Sequence, residues 1–170
     1  TVASALRVET MQGVDMMNIH AVGGRKMMAM AAKAVRAKAE ELGIVKPKLL
    51  AVTILTSMDE EQFGELNYNN TIAEQVLALA KLAKEAGLDG VVASPREAEE
   101  IRKACGPDFL IVTPGVRPAG SALDDQSRVT TPAQAFANGA THIVVGRPIM
   151  KAEDRHAAAE AIVHEIRGIE

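Results

Sequence analysis

Two arginines bracketed by proline and glycine carry the strongest chemical signal in this chain. The first stands in Val112-Thr-Pro-Gly-Val-Arg-Pro118, where an apolar run ends in a turn that holds Arg117. The second stands in Val145-Gly-Arg-Pro148, where another apolar run ends at Gly146 and Arg147. A guanidinium offers a planar donor fork that phosphate oxygens accept in pairs. Gly146 lets the backbone approach an anion, and the amides that follow it can donate to that anion. The pair therefore points to a phosphate-bearing small molecule. Gln126 lies in the long loop running from Pro114 to about Thr130. Ordered loops of that length are uncommon and often functional, so a closing lid is expected there.

The elements that must position these residues alternate with little slack. Residues 2 to 12 have a helical pattern, and Asp15-Met-Met-Asn-Ile-His20 is a short apolar run with polar ends. Gly23-Gly24 opens a long helix with Met27, Ala31, Ala34, Val35 and Leu42 on one face. Leu49 to Leu55 is a continuous β-prone run, as expected of a strand covered on both faces. The next helix carries Ile72, Val76, Leu79, Ala80 and Ala83. Thr71 and Glu74 form a capping box at its start, and Gly87 stops it. Gly90 to Ser94 is a strand, after which Ser94, Pro95 and Glu97 read as N-cap, first helical position and capping glutamate. Phe109 to Thr113 and His142 to Gly146 are the last two strands. A cap at Thr131-Pro132-Ala133-Gln134 separates them, and a helix from about Asp154 to Ile166 follows.

Five strands alternating with helices imply a parallel sheet with right-handed crossovers. No linker or low-complexity tract interrupts residues 1–170, so a single domain is expected. Two architectures fit: a self-contained doubly wound sheet of five strands, or a section of an eight-stranded βα barrel. A full barrel needs roughly 250 residues at about thirty per unit. On that reading the chain holds units four to eight, and its helical start at Thr1 reads as a longer chain cut at a helix.

Ligands of parallel α/β folds bind at the carboxyl ends of strands. There the first strand offers Asn18 and His20, with His20 read as a hydrogen-bonded spacer. The second offers Thr53, Thr56 and Ser57, whose hydroxyls suit either a polar ring or a loop cap. The third gives Ser94, explained by capping alone. The fourth and fifth give Arg117 and the Gly146-Arg147 pair.

Composition excludes several classes. A net charge of −3 gives no electrostatic footprint for nucleic acid, and four aromatic residues (Tyr68 and three Phe) supply no base-stacking platform. No apolar run reaches the length of about eighteen residues that a membrane helix needs. The lone Cys105 cannot form an internal disulfide, which fits a reducing cytoplasm, and its place at a helix end reads as a buried inert thiol. Met27, Met28 and Met30 read as core fill with some exposed spill, not as a metal box. Asp59-Glu60-Glu61 and the carboxylates between 97 and 100 read as solvated faces. No histidine or carboxylate pair has metal-ligand spacing, and no Walker loop, G-x-S-x-G or G-x-G-x-x-G occurs.

Taken together, several motifs resemble one family. Asn18-Ile-His-Ala21 with Gly23-Gly24, Leu55-Thr-Ser57, Asp89-Gly-Val-Val92, Thr113-Pro-Gly-Val-Arg-Pro118, Asp125-Gln126 and Gly146-Arg-Pro148 occur in one order across essentially the whole chain. They resemble orotidine 5′-phosphate decarboxylase of the bacterial type. The resemblance implies a βα barrel that converts orotidine monophosphate (OMP) to UMP and CO2 in pyrimidine biosynthesis. It implies no metal or organic cofactor, a homodimer and a cytoplasmic enzyme. It also implies that Thr56 faces the pyrimidine and that Gln126 bridges ring and phosphate. Arg147 and the amides around Gly146 would hold the phosphate, with Arg117 at the phosphate end of the lid. Thr1 matches the threonine that closes the family's D-x-K-x-x-D-I-P-N-T motif, where it contacts ligand.

The sequence departs from the family in one respect: no D-x-K-x-x-D occurs in it. That motif brings the proton-donating lysine and the aspartates around the departing carboxylate, so this chain alone is expected to be inactive. Two alternatives share the phosphate grip. One is a Mg²⁺-dependent sugar-phosphate decarboxylase or aldolase of the same superfamily. The other is a noncatalytic phosphate-binding domain with a flavodoxin-like sheet, which strand order distinguishes.

Overall fold

The computed structural model describes residues 1–118 and 130–168. Five strands form one sheet in the order β1-β2-β3-β4-β5, and every neighbouring pair is parallel. They are β1 (Met16–His20), β2 (Lys48–Val52), β3 (Gly90–Val92), β4 (Leu110–Thr113) and β5 (His142–Ile143). Strand order follows chain order throughout. That excludes the flavodoxin-like 2-1-3-4-5 arrangement and the doubly wound alternative, because every crossover moves one strand in the same direction, as in an arc of a barrel.

Side-chain alternation explains which face is filled. In register, Ile19, Ala51, Val91 and Ile111 form one row, with Met17 beside Leu49 one step below. All six are buried in the main core with Leu6, Met28, Val35, Val76, Leu79 and Ile101 from the covering helices. The other face carries the row Asn18, Leu50, Gly90, Leu110. Leu50 is buried outside that core, while Asn18 and His20 are exposed. Gly90 has no room for a side chain, since a Cβ there would lie 2.3 Å from the Leu110 carbonyl oxygen and 2.5 Å from Leu110 Cβ.

The helices start and stop largely where their chemistry dictates. The first, α1 (Val2–Met11), packs on α2 (Gly24–Leu42), which a single 3-10 turn at Ala21–Gly23 precedes. The expected capping box is formed at α4 (Ile72–Glu85): Glu74 N–H donates to the Thr71 hydroxyl, and Thr71 N–H donates to the Glu74 carboxylate at 2.9 Å. Donation from the Thr71 N–H and hydroxyl holds the Glu74 carboxyl below its usual range. Thr131 caps α6 (Pro132–Ala137), and Asp154 caps α8 (Arg155–Arg167).

Five expectations need correction, the first being the strand expected over 90–94, which ends at Val92 although Ala93 N–H still donates to Val112 O. Ser94 does not cap a helix. Residues 95–97 form a turn in which Glu97 N–H donates to Ser94 O and Arg96 N–H to Ser94 Oγ, and α5 (Ala98–Cys105) begins only after it. The strand expected over 49–55 ends at Val52, although Thr53 N–H still donates to Val92 O. The strand expected over 142–146 shrinks to two residues, with one further bond from Val144 N–H to Thr113 O. Two short helices were not anticipated. The first, α3 (Glu60–Glu65), is capped by the Asp59 carboxylate accepting from Gln62 N–H at 2.8 Å, and α7 (Arg147–Met150) follows Gly146 directly.

Candidate functional site

A cleft of about 650 Å³ opens where the sheet's carboxyl ends meet the covering loops. Its walls come from the segments after four successive strands. Ile54 to Glu60 follow β2, Ser94 to Glu97 follow β3, Pro114 and Gly115 follow β4, and Arg147 follows β5. Ile72, Ala73 and Val76, from the first turns of α4, give it an apolar side. An apolar wall with a few convergent polar groups is the usual make-up of a small-molecule site.

Thr56 and Arg147, two of the residues singled out by sequence, line this cleft together. Thr56 also meets the following loop. Gly115 has φ +77°, and a Cβ built on it would stand 3.7 Å from Thr56 Oγ1. The left-handed backbone suits glycine, and the close approach sets Thr56 against the turn leading to Arg117. Gly146 is the exposed N-cap of α7, so Arg147 is the first residue of a helix that emerges at the strand end. Ser57 lines the cleft, whereas buried Thr53 spends its hydroxyl on Val92 O at 2.9 Å.

The other expected residues lie elsewhere or outside the description. Arg117 is half-buried and is not among the residues lining the cleft. Its Nη1 donates to Val116 O at 3.3 Å, and its backbone N–H donates to Thr130 O at 3.1 Å. Val116 is fully buried beside Ala135 and Ala140, which draws the loop after β4 against α6. Thr1 is exposed at the head of α1, and Asn18, His20 and Thr1 are absent from the cleft lining. Gln126, with most of the proposed lid, falls outside the described residues.

Reading the sequence missed Arg96 and Glu97, which line the cleft, and Asp59 and Glu60, which border it on the β2 side. Burial pushes the Glu97 carboxyl above its usual range, with the Ser94 hydroxyl and the Arg96 charge opposing that rise. Glu97 Oε2 is buried without a hydrogen-bond partner among the described residues. Only the turn after β3 brings these side chains inward, and a helix starting at Pro95 would have hidden that. Cys105 is buried at the end of α5, its thiol pushed up by burial, as expected of an inert core thiol. No cluster of three or more metal-ligating side chains occurs among the described residues.

Residues 1–162 match the sequence pattern of the family described as orotidine 5′-phosphate decarboxylase / HUMPS. The chain belongs to this family. Among its relatives in the orotidine 5′-phosphate decarboxylase group is the enzyme of Moorella thermoacetica, 56% identical over 98% of this chain and 66% of that protein. The enzyme of Trichlorobacter lovleyi is 54% identical over 98% of this chain and 68% of its own length. The chain thus spans about two thirds of the length of the curated relatives it matches. The crystal structure of the Lactobacillus acidophilus enzyme superposes with a TM-score of 0.84 at 42% identity, over 97% of this chain and 69% of that one. The Pyrococcus horikoshii enzyme, at 23% identity and a TM-score of 0.69, shares the fold. The chain-ordered parallel sheet is accordingly an arc of the family's βα barrel.

Proposed function

We propose that the cleft binds OMP and its product UMP, and that the chain forms the phosphate- and pyrimidine-binding part of an orotidine 5′-phosphate decarboxylase, a carboxy-lyase of pyrimidine biosynthesis. The observation that carries this reading is the placement of Thr56 and Arg147 in one cleft at the carboxyl ends of the strands. Arg147 supplies a cation for the phosphate beside the amides that open α7, and Thr56 supplies a hydroxyl to the ring. Arg117, outside the cleft lining, stands at the phosphate end of the lid, and Gln126 links the two ends of the ligand. Thr1 belongs to the ligand-contacting segment before α1. A phosphate held away from the reacting carbon provides binding energy that orients the ring and closes loops over it.

Loss of CO2 leaves a carbanion that needs a nearby ammonium, both to favour the developing charge and to return a proton. No lysine lines the cleft among the described residues, and the sequence contains no D-x-K-x-x-D. The proton donor is therefore to be sought outside these elements. We take the working enzyme to be a cytoplasmic homodimer, and a lone buried thiol is compatible with a reducing compartment. A Mg²⁺-dependent decarboxylase or aldolase of the same superfamily remains the rival, and activity that persists in EDTA separates the two.

Calorimetry with UMP tests the reading. In the full-length protein, Arg147→Ala should weaken UMP binding by about 2–5 kcal/mol, as truncating one partner of a desolvated charge pair does. Unchanged affinity would remove Arg147 from the site.

A further inference from the structure

Arg102 lies on α5 and is not among the residues lining the cleft, yet its guanidinium holds together the entries of the two strands that lead to the arginine loops. Nη1 donates to the carbonyl oxygens of Gly106, Pro107 and Phe109 at 2.7, 2.8 and 2.8 Å. Nη2 and Nε both donate to Gly139 O, at 2.8 and 3.3 Å. One part-buried cation thus gathers four carbonyls from two connections, α5 to β4 and α6 to β5. Hydrogen bonds from a charged donor are roughly twice as strong as neutral ones, and no other side chain has a planar fork to reach so many acceptors.

The partner loop is shaped for this contact. Gly139 has φ +101°, and a Cβ there would lie 3.1 Å from Arg102 Cβ and 3.3 Å from its Cγ. Both the backbone conformation and the close packing call for glycine. Beyond Gly139 the rungs to β4 complete the anchoring, with Thr141 N–H donating to Ile111 O at 2.8 Å and Val144 N–H to Thr113 O at 2.9 Å. β5 is two residues long and pairs only with β4 in the described sheet. Thr141 adds a side-chain rung, its Oγ1 accepting from Ile111 N–H at 2.9 Å and approaching Ile111 O at 3.0 Å. β5 leads through Val144 and Val145 to Gly146 and Arg147, while β4 leads through Pro114 to Gly115 and on to Arg117.

We propose that Arg102 is a positioning residue for the anion grip. By clamping the entries of β4 and β5 to each other, it sets the offset between the strand ends that carry Arg117 and Gly146-Arg147. It touches no ligand. Only Val144 to Gly146 separate β5 from α7, so a shift at Gly139 is carried to Arg147 over a short span of chain. The inference rests on the proposed nucleotide reading of the cleft.

The test compares UMP with uridine, which lacks the phosphate, on the full-length protein, with binding followed by NMR titration. Arg102→Lys keeps the charge but loses the fork, and Gly139→Ala disturbs the contact from the other side. Both variants are checked for native circular dichroism, and if one does not fold the other carries the same comparison. The expected result is a loss of about tenfold in UMP affinity, with uridine affinity changed by less than about twofold. A purely structural role lowers both affinities together or neither, so an unchanged UMP-to-uridine ratio overturns the positioning role alone. Wild-type protein that does not bind UMP overturns the nucleotide reading and the positioning role with it.

Discussion

Glu97 shows how much a single side chain can hide from sequence. Its place beside three other acidic or basic residues suggested a solvated helical face, yet one carboxyl oxygen is buried at the cleft without a partner among the described residues. Removing water from a carboxylate favours its protonated form, so folding raises its pKa. The folded protein then holds this proton more tightly than the unfolded chain. Its contribution to stability is full below the ordinary value of 4.5 and is lost as pH rises through the elevated folded value. Glu97→Gln cannot ionise and escapes that loss. Thermal melts should show the variant gaining on the wild type as pH rises above 4.5. A Tm difference that stays constant with pH would mean that Glu97 is solvated. The arginines were legible for the opposite reason: their proline and glycine neighbours announce a turn, and the apolar runs before them announce a strand. That Arg147 lines the cleft while Arg117 hydrogen-bonds to the neighbouring Val116 carbonyl depends on side-chain geometry, which spacing does not encode.

Among the elements, most of those with complete local signals form where the sequence places them. The Thr71 capping box is one, since hydroxyl, carboxylate and two backbone amides satisfy each other within four residues. Thr71→Ala should cost about 1 kcal/mol, read by urea denaturation of the folded protein. A loss within error would show that α4 is held by packing alone. Ser94-Pro95-Arg96-Glu97 carries the same kind of signal and yet forms a turn. Asn138 Nδ2 donates to Pro95 O at 3.2 Å, tying that turn to the end of α6. Such a tertiary contact has no trace in the local pattern. The shortening of β5 has a similar origin, because α7 begins at Arg147 and needs Val144 to Gly146 to turn the chain. The helix α3 was missed because its apolar content is essentially Phe63, which stacks on Tyr68 with ring centroids 5.3 Å apart.

For the molecule as a whole, the alternation of strands and helices was enough to predict a parallel sheet but not to choose between two ways of closing it. Strand order makes that choice, and it depends on the direction of each crossover, which no single segment records. The same scale governs activity. The described elements place the Arg147 cation and the Thr56 hydroxyl at the cleft, but no lysine. A polypeptide of these 170 residues should therefore leave the absorbance of OMP unchanged, while the full-length protein decarboxylates it. Turnover by the 170-residue chain, its sequence confirmed by intact mass, would place a proton donor inside the elements described.

The most direct measurement is a crystal structure of the full-length protein with UMP. The phosphate should sit against the Arg147 guanidinium and the first amides of α7, with the pyrimidine towards Thr56. A phosphate bound away from the carboxyl ends of β4 and β5, leaving Arg147 in solvent, would contradict the account.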